Sequence, residues 1–157
     1  MEKTNVMRIL EQHGISYTPH SYPHGKEAVD GVSVAEMLGQ DPECVYKTLV
    51  ARGKSGGYFV FDIPVNAELD LKKAAKAVGE KAIELVHVKE LLGLTGYVRG
   101  GCSPVGMKKQ FPTVFHEIAE ILPTIMVSVG KIGWQIECAP DDLIALVGAK
   151  TADLVKD

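Results

Sequence analysis

The spacing of apolar residues changes character several times along this 157-residue chain, and the changes mark out its elements. Val6, Ile9 and Leu10, with Met7, recur at helical spacing behind Thr4, a capping residue, and Gly14 ends the run. Residues 15–22 read as an extended segment with interspersed prolines. Ser33 followed three residues later by Glu36 is a capping-box pattern for a short helix carrying Val34, Met37 and Leu38, which Gly39 terminates. Asp41-Pro42-Glu43 starts a further helical turn. The character then changes: residues 45–51 and 58–65 are β-rich runs, separated by a Gly/Ser-rich loop that predicts a hairpin. Asp70 caps a helix through Leu71, Ala74, Ala75 and Val78, and Gly79 stops it. Residues 82–88 predict a strand, 89–92 a short helix, and Tyr97-Val98-Arg99 a strand. The last third predicts strands at 113–115, 124–129 and 134–138, then a helix over 140–146.

Many short strands on hairpin-length loops, with helices between them and no regular βαβ alternation, predict an α+β fold. The expected architecture is a single domain over residues 1–157, with a curved, mostly antiparallel mixed sheet or partial barrel flanked by helices. A hydrophobic share of 46% is ample for one core. The longest apolar-rich stretch, residues 118–129, is broken by Glu120 and Pro123, so no membrane span is expected. The first residues lack the apolar core of a secretion signal, and the expected location is the cytoplasm.

Charge and cysteine usage narrow the chemistry. The formal net charge is −3, which argues against a general polyanion binder and against DNA as a partner; any RNA contact should be local and centred on a terminus. Cys44, Cys102 and Cys138 are odd in number and far apart, and form neither a disulfide framework nor a CxxC pair. His20 and His24 are four apart, but Pro19 and Pro23 interrupt the helix that metal ligands at that spacing need. Neither a metal nor a cofactor is expected.

The most informative segment is Gly100-Gly101-Cys102-Ser103-Pro104-Val105-Gly106. Its small side chains let backbone N–H groups approach a ligand, although Gly-Gly before Ser-Pro is also an ordinary strand-to-turn junction. Its glycine order matches neither a P-loop nor a dinucleotide fingerprint. Cys102 is a nucleophile candidate by position, yet free cysteine is usually a small buried hydrophobe. Lys47 starts an apolar run, where a lysine either snorkels outward or serves a pocket. Tyr22 and His20 share a face of an extended segment.

Several separated segments then combine. Val45-Tyr46-Lys47-Thr48-Leu49, Leu69-Asp70-Leu71-Lys72-Lys73-Ala74-Ala75-Lys76, Thr95 through Lys109 around the glycine segment, and Val127-Ser128-Val129-Gly130-Lys131 occur in that order. Together they resemble the YbaK/EbsC family of Cys-tRNA(Pro) deacylases, relatives of the editing domain inserted in bacterial prolyl-tRNA synthetases. The resemblance implies a free-standing trans-editing enzyme that removes cysteine from Cys-tRNA(Pro), and from Cys-tRNA(Cys). The alternatives are a deacylase for another small aminoacyl group, such as Ala-tRNA(Pro), or a non-catalytic module binding the synthetase or the aminoacyl-tRNA. It implies aminoacyl-tRNA as ligand and prolyl-tRNA synthetase as transient partner. It also implies that the substrate's own thiol attacks the ester carbonyl. By the same resemblance Lys47 and Gly101 are catalytic, and Tyr22, Thr48, Gly100, Ser103 and Ser128 bind substrate, with the Gly100-Gly101 backbone supplying donors. Relatives often have isoleucine where this chain has Cys102, so that thiol is expected to be structural. Relatives also often carry an aromatic where this chain has Asp30, at the near wall of the pocket.

Overall fold

The computed structural model describes residues 3–157. Helix α1 (Asn5–Gln12) starts at Thr4, whose Oγ1 accepts from Met7 N, and buries Val6, Met7 and Leu10. A short strand β1 (Thr18–Ser21) leads to helix α2 (Gly31–Met37) and a 3-10 turn (Pro42–Cys44). Strands β2 (Tyr46–Gly53) and β3 (Tyr58–Pro64) form the expected hairpin. Helix α3 (Leu71–Val78) is capped by Asp70, which accepts from Lys72 N and Lys73 N, and stops at Gly79 with φ +72°. Strand β4 (Ile83–Leu85) and helix α4 (Val88–Thr95) precede the glycine segment. Strand β5 (Thr113–His116), a 3-10 turn (Glu117–Ile121), strands β6 (Ile125–Ser128) and β7 (Trp134–Cys138), helix α5 (Pro140–Val147) and strand β8 (Lys150–Ala152) complete the chain.

The strands form two sheets rather than one. Strands β1, β7 and β6 form a three-stranded antiparallel sheet, and the order β4-β2-β3-β5-β8 makes the other. In the larger sheet β3–β5 and β5–β8 are parallel, while every other pairing is antiparallel. The sheets meet where Val45 bridges Met126, and they do not close into a barrel. The fold is therefore α+β and mixed, mostly antiparallel, as expected, with a break the local pattern does not encode.

Side-chain alternation divides the larger sheet into two faces. Ala51, Phe61 and Ile63 pack against Ala74 and Ala75 of α3. Val50 and Val60 pack on the other side against Cys102, Met107 and Phe111 of the loop after α4. A third cluster joins α1, α5 and the small sheet through Leu10, Ile125, Ile136 and Leu143.

Two local expectations are corrected, and one unanticipated strand is added. Asp30, not Ser33, caps α2: its Oδ2 accepts from Ser33 N at 3.1 Å and its Oδ1 from Ser33 Oγ at 2.7 Å, so the helix begins three residues earlier. Tyr97-Val98-Arg99 is not a strand, because Gly96 at φ +85° ends α4 and turns the chain at once, and Gly101 N closes back on Val98 O. Strand β8 has too few apolar positions to show a period, and exists through its pairing with β5.

Candidate functional site

A cavity of about 950 Å³ lies where the two sheets diverge, and its position follows from a gap in pairing along β2. Strand β4 covers only Ala51 to Gly53 of β2, leaving the edge at residues 47–49 without a neighbouring strand. Val45 O accepts from Val65 N on the β3 side, whereas Val50 O accepts from Val86 N on the β4 side. By the alternation of an antiparallel ladder, the main-chain N–H and C=O of Thr48 face the open edge. Lys47 and Thr48 leave opposite faces of the strand, and both line the cavity because it follows that edge.

Lys47 is half-buried, and burial lowers its pKa against the opposing influence of Glu68. A partly dry ammonium acts on a bound oxygen more strongly than one in water. Lys26 and Arg99 also line the cavity, as do Glu27 and Asp30, whose carboxylate is engaged as the α2 cap. The lining thus carries three cationic side chains against one acidic group not committed to a cap, on a chain whose net charge is −3.

Thr48 Oγ1 is hydrogen-bonded to Asp62 Oδ1 at 2.6 Å, across the β2–β3 pair. Asp62 is fully buried, its other oxygen has no hydrogen-bond partner among the described residues, and burial pushes its pKa up to about 8. The opposite wall comes from the small sheet. Ser128 at the end of β6 faces Gln135 of β7 in register, and both line the cavity. Ser128 Oγ and Gln135 Oε1 are buried without a hydrogen-bond partner among the described residues, which leaves them free for a bound polar group. Tyr22 follows β1, is anchored by its N–H to Gly133 O, and lines the same space with 4% exposure.

The glycine segment closes the cavity from the third side. Gly100 lies on its surface at φ +86°, and a Cβ there would come within 2.8 Å of the Ala28 Cβ. Gly101 sits behind it: its N–H is committed to Val98 O at 3.0 Å, and a side chain would press on the Gly130–Lys131 backbone. Ser103 is fully buried, and its hydroxyl accepts from Val105 N within its own turn. Of the three substrate-site candidates in the glycine segment, Gly100 lines the cavity, whereas Gly101 and Ser103 shape the loop. Cys102 also lines the cavity, but burial, with Asp62 nearby, pushes its thiol up to about 12, so it is a poor source of thiolate.

Lys47, Thr48, Tyr22, Gly100 and Ser128 thus converge from segments up to 106 positions apart. Gln135 and Asp62 escape the sequence reading. Gln135 lies in an otherwise ordinary strand, and only its register opposite Ser128 marks it. Asp62, amid the apolar run Tyr58-Phe59-Val60-Phe61, carries the one local signal available: a carboxylate in a strand that should be buried.

A divergent-sheet cavity with cationic side chains at its rim and unpaired buried oxygens within fits a site for a small polar group attached to a larger anion. The chain belongs to the aminoacyl-tRNA editing domain family, whose sequence profile matches residues 26–146. Among curated proteins it is 47% identical, over 98% of this chain and 93% of the relative, to EbsC of Enterococcus faecalis, named for Cys-tRNA(Pro)/Cys-tRNA(Cys) deacylase activity. Its fold also matches a crystal structure described as a trans-editing enzyme for prolyl tRNA synthetase, with a TM-score of 0.84, 26% identity, and coverage of 99% of this chain and 100% of the other. Among the described residues no helix is long and apolar enough to cross a membrane.

Proposed function

We propose that this protein is a trans-editing deacylase that removes cysteine from mischarged Cys-tRNA(Pro), and also acts on Cys-tRNA(Cys), in the cytoplasm. The reading is carried by one contrast in the cavity: a half-buried cation, Lys47, stands at its wall, while the thiol there, Cys102, is pushed up to about 12. The protein supplies electrostatics and confinement, and the substrate supplies the nucleophile.

The chemistry then follows from the cysteinyl ester. Its sulfur attacks the ester carbonyl, forming a C–S bond as the C–O bond to the ribose breaks; the thiol proton ends on the departing ribose oxygen. The four-membered thiolactone so formed is opened by water to free cysteine. Lys47 stabilises charge on the carbonyl or ribose oxygen, and confinement between Gly100 and the Ser128–Gln135 wall bends the thiol toward its carbonyl. Tyr22 and Thr48 bound the same space. Gly101 and Ser103 act by holding the loop that presents Gly100. Prolyl-tRNA synthetase, which admits cysteine because size alone discriminates poorly, is the transient partner that delivers the substrate.

The test is deacylation of Cys-, Ala- and Ser-tRNA(Pro) by the purified protein and by Lys47→Ala. Cleavage of the cysteinyl ester alone, lost in Lys47→Ala, is the expected result. Equal cleavage of the alanyl or seryl ester overturns the substrate-thiol mechanism, and binding without cleavage of any ester makes the protein a carrier rather than an enzyme.

A further inference from the structure

The buried carboxyl group of Asp62 has no part in the chemistry above, yet it touches a residue of the cavity wall. Thr48 and Asp62 form a non-hydrogen-bonded pair of the β2–β3 ladder, the pair type that brings facing side chains closest. Their contact is 2.6 Å, while Asp62 Oδ2 is buried with no hydrogen-bond partner among the described residues. The charge of Asp62 acts on Tyr46 of β2 and Cys102 of the glycine segment, raising the pKa of both, and from β5 its paired residue is the uncharged Phe115. Neither neighbour is a cation. Lys47 leaves the other face of β2.

We propose that Asp62 is a positioning residue for the aminoacyl ester: its buried carboxyl group decides whether the Thr48 hydroxyl offers the substrate a hydrogen or only lone pairs. This rests on the deacylase reading and deepens it. A neutral carboxyl donates its own proton to Thr48 Oγ1, since an under-satisfied carbonyl oxygen is tolerated inside proteins more readily than an orphaned donor. The Thr48 hydrogen is then free to point into the cavity at the ester oxygen, at the end of a polarised O–H···O–H chain. An ionised carboxylate reverses the chain: Thr48 must donate to Asp62, and the donor is withdrawn from the cavity. Burial holds Asp62 in the first state at neutral pH, because its pKa is raised to about 8.

Single-turnover deacylation of Cys-tRNA(Pro), corrected for uncatalysed hydrolysis, tests this from pH 6.5 to 9.5 in wild type, Asp62→Asn, Thr48→Val and the double variant. Every profile shares the titration of the substrate's thiol and amine, so ratios of rates isolate Asp62. The wild-type to Asp62→Asn ratio is expected to fall about tenfold across roughly pH 7 to 9, the size of one hydrogen bond to a charged or developing-charge group. The wild-type to Thr48→Val ratio should fall in parallel, a second reading that survives if Asp62→Asn fails to fold. In the Thr48→Val background, the effect of Asp62→Asn should be independent of pH. Ratios that stay flat, or an alkaline fall that persists without the Thr48 hydroxyl, overturn the proposal while leaving the deacylase reading intact. Absence of deacylation in wild type at every pH overturns the reading and the proposal together.

Discussion

Strand β2 has two differently built halves. At Ala51 and Arg52 it is paired on both sides, by β3 and by β4, and Ala51 is sealed against α3. At residues 47–49 it is paired with β3 alone, and its other edge borders the cavity. The residues of the closed half satisfy one another. In the open half, a lysine is half-buried without an ion pair among the described residues, a threonine is tied to a buried acid, and main-chain groups face the cavity. Sealed packing and cavity lining are therefore separated along a single strand, by the length of β4.

That separation can be broken at either end. Lys47→Ala should remove deacylation by about 100-fold or more, in line with loss of a main electrostatic contact to the transition state. Its melting temperature should stay close to wild type, since removing a partly desolvated charge relieves its burial cost; a large fall in melting temperature would mean that the open half also carries the fold. Ala51→Leu, in the closed half, should do the reverse. Overpacking against Ala74 and Ala75 should cost about 1–3 kcal/mol in urea denaturation, with the rate per folded molecule little changed. Gly100→Ala tests the facing wall: a positive φ costs an L-residue about 1–2 kcal/mol, and the clash with Ala28 should displace the wall and slow cleavage about tenfold, a step of about 1.4 kcal/mol in barrier height. The smallest effect belongs to Glu90→Gln. Glu90 pairs with Arg52 at 2.6 Å at the partly exposed surface of the closed half, and such pairs are worth under about 1 kcal/mol. A loss of activity in that variant, with stability unchanged, would blur the boundary between the halves.

Much of this was legible in the chain because it is local. Thr4 and Asp70 cap helices through side-chain contacts to residues two or three positions away, and the β2–β3 hairpin follows from two β-rich runs flanking a Gly-rich turn. The α2 start was misplaced because Asp30 and Ser33 both suit a cap, and their competition is settled by which one the chain direction brings to the free N–H groups. Lys47 and Gly100 could be singled out because a charge in an apolar run and paired glycines are visible at one position. Gly101 and Ser103 could not be told from them, since a loop's inward and outward atoms look alike in sequence.

The sequence by itself determined most of the helices, the hairpin and a small set of candidate residues, of which Tyr22, Lys47, Thr48, Gly100 and Ser128 line one cavity. The tertiary structure decided where the larger sheet stops, that Val45 meets Met126, that Ser128 and Gln135 face Lys47's edge, and that Asp62 stands behind Thr48. The physical reason is that periodicity, capping and turn chemistry act over a few residues, whereas an unpaired strand edge is defined by neighbours that fail to reach it. That failure is a property of the assembled sheets, and the cavity lies along the edge it leaves open.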